Sequence, residues 1–129
     1  MLFRSAFWDT RAVVHLAAIS NDPMSELDER LTYDTNVRLV AEVSEVFSDA
    51  RHVLASSASV YGFNKENCVE SSPVNPLSTY AASKISAERI LNLLNPSSIS
   101  LRFGTLWGDR KSTRLNSSHS QQSRMPSSA

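Results

Sequence analysis

Arg51-His52-Val53-Leu54-Ala55-Ser56-Ser57 is a short run of apolar and small residues that ends in hydroxyls, and it reads as a strand. On its amino-terminal side, Leu31, Val37, Leu39, Val40, Val43, Val46 and Phe47 recur at helical spacing and predict a helix over 31–47. Upstream of that, Asp22-Pro23 offers an N-cap and a first-turn proline, which marks a helix start. Ala12-Val13-Val14-His15-Leu16-Ala17-Ala18 is a second apolar run, closed by the turn residues Ser20-Asn21-Asp22-Pro23 and read as a buried strand. On the other side of the opening stretch, a loop rich in turn residues runs from 62 to 78. A helix follows over 79–94, with Ala82, Ile85, Ile90, Leu91 and Leu94 as apolar anchors and Asn95-Pro96 as its stop. Ser98-Ile99-Ser100-Leu101-Arg102-Phe103 completes the pattern as a third strand. There is no internal repeat. Strand–helix–strand–helix–strand implies βαβ crossovers and a parallel sheet, an α/β fold.

Composition narrows the function classes. The 129 residues suit one small domain. Thirteen basic and thirteen acidic side chains balance, which argues against a nucleic-acid binder held by phosphate contacts. No apolar run approaches a membrane span, and the opening Met-Leu-Phe-Arg-Ser-Ala-Phe-Trp lacks the features of a secretory signal. The lone Cys68 excludes an internal disulfide and a cysteine-based metal site, and reads as a buried or loop thiol. A cytoplasmic location is expected.

The balance of charge is a sum of two unlike pieces. Residues 1–108 carry nine basic and twelve acidic side chains, and residues 109–129 carry four and one. The second piece has seven serines in 21 residues and almost nothing large and apolar, a composition that reads as disordered. Segments 109–119 and 123–129 also resemble the in-frame translation of a widely used short-read sequencing adapter, with Ser120, Gln121 and Gln122 where a variable index falls. The expected division is therefore 1–108 as the folding region and 109–129 as a non-native disordered tail.

Tyr80-Ala81-Ala82-Ser83-Lys84 places a phenol and an ammonium four residues apart at the start of a helix, on one face. An adjacent cation favours the phenolate, and such a tyrosine can take a proton from a substrate hydroxyl and return it. Ser57, at the end of a predicted strand, lies where open parallel sheets bind ligands. By itself the Tyr-x-x-x-Lys pair is a weak signal, and taken alone it reads more readily as an interface tyrosine and a solvated helix lysine.

The order of motifs is more specific. A strand ends in His15-Leu16-Ala17-Ala18, a helix carries Asn36, a strand ends in Ser56-Ser57-Ala58-Ser59-Val60-Tyr61-Gly62, and Tyr80-Ala81-Ala82-Ser83-Lys84 follows. This series resembles the extended short-chain dehydrogenase/reductase family, the NAD-dependent nucleotide-sugar epimerases and dehydratases, over about residues 12–108. The resemblance implies a Rossmann-like doubly wound parallel sheet, here its middle to second half only. It implies Ser57, Tyr80 and Lys84 as a catalytic triad, with Lys84 also on the nicotinamide ribose. Leu16, Ala17, Ala18, Ile19 and Ser20 match the segment beside NAD, Asn36 a helix asparagine near the cofactor, and Phe103-Gly104-Thr105 a loop touching nicotinamide and substrate. Ser57, Ala58 and Thr105 are the expected substrate contacts. The cofactor is expected to be NAD, with NADP left open, the substrate a nucleotide sugar, and the assembly a homodimer through its two helices. Tyr61 is expected to pack behind the site, His15 and Trp107 to be core residues, and Arg102 to be structural.

The departures carry information too. Only Gly62, Gly104 and Gly108 are present, and they cannot form the glycine-rich turn by which the family grips the pyrophosphate. The expectation is a slice of an enzyme, inactive by itself. The family's dehydratases place Asp-Glu directly after the active-site hydroxyl residue, whereas Ala58 and Ser59 stand here, which disfavours dehydration. An epimerase is the leading expectation. A reductase or dehydrogenase of the same family, and a non-catalytic dinucleotide-sensing member, are the alternatives.

Overall fold

A computed structural model describes residues 9–64 and 67–104; Thr105, Trp107 and the expected tail 109–129 lie outside the described residues. The chain forms β1 (Ala12–His15), α1 (Asp22–Leu27), α2 (Glu29–Tyr33), a π-helical turn (Asp34–Arg38), α3 (Leu39–Val46), β2 (Arg51–Ser57), a 3-10 turn (Ala58–Tyr61), α4 (Thr79–Leu94) and β3 (Ile99–Phe103). The three strands are parallel in the order β1-β2-β3. The expected α/β class and Rossmann-like parallel sheet are what the chain adopts. β1 is shorter than the run 12–18, because pairing with β2 stops at His15 opposite Leu54. The rest of that run leaves the sheet as a loop.

Local chemistry sets the helix ends. Asn21, not Asp22, caps α1: its Oδ1 accepts from the Met24 amide at 2.9 Å, and Asp22 and Pro23 lie inside the first turn. Ser78 caps α4, its Oγ accepting from the Ala81 amide at 3.2 Å. Such caps satisfy amides that a helix start leaves without an intrahelical partner. Gly62 sits at φ 66°, and a Cβ there would lie 2.1 Å from the Asn75 carbonyl oxygen, so the turn after the 3-10 segment requires glycine.

The buried helix faces differ from those the apolar pattern predicts. Of the α4 anchors, Ile85 and Leu91 are buried, Ala82 and Ile90 are half-buried, and Leu94 is exposed. Ala81, Ser83, Lys84 and Ala87 take the remaining buried positions. In the α2–α3 rod, Val40 is buried but Leu31, Leu39 and Val46 are exposed, and Thr32, Asn36 and Ser44 are buried instead. These hydroxyls stay satisfied by donating to their own helix: Ser44 Oγ to the Val40 carbonyl at 2.6 Å and Thr32 Oγ1 to the Asp28 carbonyl at 2.9 Å. Small residues let α4 lie close against the neighbouring helices. The apolar core is correspondingly small: Val40, Leu54, Ala87 and Leu91 in one cluster, Val60, Tyr61 and Ile85 in the other.

β2 alternates strictly, burying His52, Leu54 and Ser56. Residues in register share a face, so Val14, Val53 and Ile99 line the opposite face with Ala55, Leu101, Ser57 and Phe103. Val14 is 57% exposed and Leu101 43%, so this apolar face is open to water.

Candidate active site at the carboxyl ends of the strands

Because the strands are parallel, the segments that leave them emerge along one edge. Leu16 to Ser20 follow β1, Ser57 ends β2 and Ala58 opens the turn after it, and Gly104 follows β3. This is the edge where open α/β sheets bind ligands. Leu16, Ala17 and Ser20 are exposed and Ala18 and Ile19 half-buried. Gly104 is exposed, with open space where a side chain would project. Ala58 is half-buried. Thr105 lies outside the described residues.

Ser57 has extended backbone and its Oγ accepts from the amide and hydroxyl of Ser59, at 3.2 and 2.9 Å. Tyr80 is half-buried in the first turn of α4. One turn on, Lys84 is 4% exposed. Its Nζ donates to the Ala55 carbonyl at 3.0 Å and stands 5.8 Å from the centre of the Tyr80 ring. Ala55 lies two residues before Ser57 on β2, so the ammonium links the tyrosine's helix to the strand that carries the serine. Burial lowers the Lys84 pKa from its ordinary value, because the charged form loses hydration. Among the described residues no carboxylate stands within ion-pair distance of Lys84.

Asn36, expected near the cofactor, is 1% exposed and its amide is committed inside the protein. Oδ1 accepts from the Ile19 amide at 2.8 Å, and Nδ2 donates to the Ile19 carbonyl at 3.0 Å and to Ser83 Oγ at 2.9 Å. Ser83 Oγ in turn donates to the Tyr80 carbonyl at 2.7 Å. Asn36 therefore clamps the loop after β1 onto the helix of Tyr80 and Lys84. It stands on the π-helical turn, a wider turn of the kind often found at functional positions. Ser83 was missed in the sequence, where a small helix residue between Tyr80 and Lys84 gives no signal.

Tyr61 packs behind the site as expected, buried in the cluster with Val60 and Ile85. His15 is a core histidine with a partner that spacing cannot announce: its Nε2 lies 2.9 Å from His52 Nδ1, and His52 Nε2 lies 3.0 Å from the Phe47 carbonyl. Cys68 is exposed, with Asn64 donating to its Sγ at 3.3 Å, so of the two readings the loop thiol holds.

The sequence pattern of the NAD dependent epimerase/dehydratase family matches residues 3–126. The chain belongs to that family. The match runs on into 109–126, within the segment expected to be a non-native disordered tail. A UDP-glucose 4-epimerase from Lactobacillus helveticus is 34% identical over 84 residues, which are 62% of this chain and 26% of that protein. MoeE5, solved in complex with UDP-glucuronic acid and NAD, is 28% identical with a TM-score of 0.76, covering 84% of this chain and 39% of its own. A dTDP-4-dehydrorhamnose reductase from Clostridium acetobutylicum is 28% identical with a TM-score of 0.72, covering 91% of this chain and 45% of its own. This member of the family thus spans about a quarter of the length of the curated relative and under half of each solved one.

Proposed function

We propose that this chain is the catalytic segment of an NAD-dependent epimerase acting on a nucleotide-linked sugar. The observation that carries the reading is Lys84, a buried ammonium with no carboxylate at ion-pair distance among the described residues, bonded to the end of the Ser57 strand and one turn from Tyr80. A buried cation without a counter-charge is costly, and such groups concentrate at functional sites. One of its three donors is committed to Ala55, and the others suit the hydroxyls of a ribose.

The residues present fit the nicotinamide end of NAD: Lys84, the exposed loop Leu16 to Ser20 and the open position at Gly104 share the carboxyl edge. They do not fit the pyrophosphate end, since glycines at 62, 104 and 108 do not have the spacing of a phosphate-binding turn. Bound NAD would supply hydride acceptance and return. Tyr80 takes the proton from the sugar hydroxyl as it is oxidised and returns it on reduction. Lys84 favours the phenolate through its charge, Ser57 holds the sugar oxygen, and Ala58 contacts the sugar beside it. Asn36 fixes the loop after β1 without touching the reactants. Epimerisation is preferred to dehydration because Ala58 and Ser59 offer no acid or base after Ser57. Similarity to the dTDP-4-dehydrorhamnose reductase supports a second reading, a reductase that delivers hydride from a reduced nicotinamide cofactor to a nucleotide-linked keto sugar.

The test uses the complete enzyme, with the flanking sequence restored from the genomic locus, supplied with UDP-glucose and NAD. Formation of the 4-epimer by chromatography supports the epimerase. Consumption of NADPH or NADH with a nucleotide-linked keto sugar, without epimerisation, supports the reductase. Tyr80→Phe should reduce turnover by about 100-fold or more while NAD binding stays near that of the unaltered enzyme. Near-normal turnover in that variant would end the assignment of the tyrosine.

A further inference from the structure

On the face of α4 that carries Tyr80 and Lys84, the next turn presents Glu88, and the carboxylate meets groups from two strands, β2 and β3. Ser56 Oγ donates to Glu88 Oε1 at 2.5 Å. Arg102, the register partner of Ser56 on β3, grips the same carboxylate with both arms, Nε to Oε1 at 3.0 Å and Nη2 to Oε2 at 2.7 Å. Arg102 Nη1 also donates to the Tyr61 hydroxyl at 2.9 Å and to the Glu70 carbonyl at 3.3 Å. The guanidinium stands 5.0 Å from the centre of the Tyr61 ring. Ser56 immediately precedes Ser57, and Tyr61 ends the short turn that begins after it. One ion pair therefore grips both sides of the segment that carries the candidate catalytic serine.

We propose that Glu88 and Arg102 are positioning residues: the pair fixes the sliding register of α4 against β2 and so sets Tyr80 and Lys84 opposite Ser57. This rests on the reading of those three residues as the reacting set. Lys84 and Glu88, one turn apart, hold the consecutive residues Ala55 and Ser56 of β2. A slip of one residue along a helix moves its side chains by about 1.5 Å, and a displacement near 1 Å can reduce turnover by about 100-fold. A two-armed guanidinium–carboxylate bond is directional and resists such a slip, as a greasy contact does not. Largely buried pairs of this kind contribute little net stability compared with apolar residues of similar volume, and the side chains here are only 11% and 23% exposed. A positioning role gives the pair a function that net stability alone does not.

The test compares the complete enzyme with Glu88→Gln, Ser56→Ala and Tyr61→Phe variants. Two readouts are taken: kcat and KM with UDP-glucose and NAD, and titration of Lys84 followed by NMR of 13Cε-labelled lysine. Glu88→Gln should reduce kcat by about 10- to 100-fold with KM nearly unchanged. The Lys84 titration should shift from that of the unaltered enzyme as its contact with Ala55 changes. Ser56→Ala and Tyr61→Phe, which each remove one bond and keep the ion pair, should do the same to a smaller degree, about threefold in kcat. If Glu88→Gln does not fold, the two milder variants decide by the same readouts. A fall in melting temperature with kcat and the Lys84 titration both unmoved would show the pair to be structural only and overturn the proposal. Failure of the unaltered enzyme to turn over UDP-glucose would count against the substrate reading alone, and the Lys84 titration would still judge the pair.

Discussion

At the scale of single residues, Lys84 shows how the candidate site opposes stability. Its folded pKa lies below its unfolded value because of burial, so the folded state favours the neutral amine. Stability linked to this group therefore rises as pH rises through the folded pKa toward the ordinary lysine value, and at neutral pH the charge works against folding. Lys84→Met should stabilise the protein by about 1 kcal/mol in urea denaturation while abolishing turnover, the trade expected of a functional charge. A destabilised Lys84→Met would assign the ammonium a structural role through Ala55. Gly62 is the opposite case, a residue needed by the backbone alone. Gly62→Ala meets both a positive φ and the Asn75 carbonyl, and should lower stability by about 2 kcal/mol or more, read as a urea midpoint shift.

At the scale of elements, the joint between β1 and β2 depends on two stacked histidines. The Phe47 carbonyl only accepts, so His52 Nε2 carries the proton and its Nδ1 accepts from His15 Nε2. The rings stack with centres 5.2 Å apart, and His52 has no exposed surface. Burial, and then the facing His52, lower the His15 pKa from 6.5 to about 4. A depressed folded pKa means that the unfolded chain takes the proton first. The contribution is intact above pH 6.5 and is lost as pH falls toward 4, up to about 3 kcal/mol in all. Urea midpoints of the complete enzyme should drop across that window, and His15→Leu should flatten the drop. An equal acid limb in His15→Leu would place the sensitivity elsewhere. The clamp between elements is Asn36. Asn36→Ala leaves both backbone groups of Ile19 without their present partner, and should cost about 2 kcal/mol and raise KM for NAD, because the loop it loosens lies on the proposed cofactor path.

At the scale of the whole molecule, both helical connections pack together, and the face of the sheet opposite β2's buried residues is bare. Val14, Leu101, Ile99 and Phe103 present apolar surface to water on a strand set whose β1 edge has no further partner among the described residues. A domain of this size has a margin of only about 5–15 kcal/mol even when its core is complete. Residues 1–108 expressed alone should therefore aggregate or melt without cooperativity and bind NAD too weakly for calorimetry. A soluble monomer with a sharp melt and micromolar NAD affinity would show that this segment is self-sufficient. The helices expose Val46, Leu93 and Leu94 outward, apolar surface that the expected dimer through the helices would cover, measurable by sedimentation of the complete enzyme. For 109–129, sequencing the genomic locus past codon 108 is decisive. Absence of those codons would support the non-native tail, and their presence would agree with the family match that extends to residue 126.

The sequence by itself determined the strand and helix order, because apolar periodicity and the stops at Asn95-Pro96 are local properties of the chain. It also determined that Tyr80 and Lys84 share a helix face and that Ser57 ends a strand, since both follow from fixed helical and strand repeats. The helix faces were legible only in part. Ser25, Thr32, Asn36, Ser44 and Ser83 are buried where hydrophobicity points outward, because close helix packing rewards small size and hydroxyls can bond their own backbone. Tertiary structure alone decided who meets whom across long intervals: Asn36 with Ile19 and Ser83, His15 with His52, and Glu88 with Ser56 and Arg102. Those pairings depend on parallel register and on the crossover that lays α4 against β2. A hydrogen bond between residues 17 to 47 positions apart leaves no periodic trace in the chain that makes it.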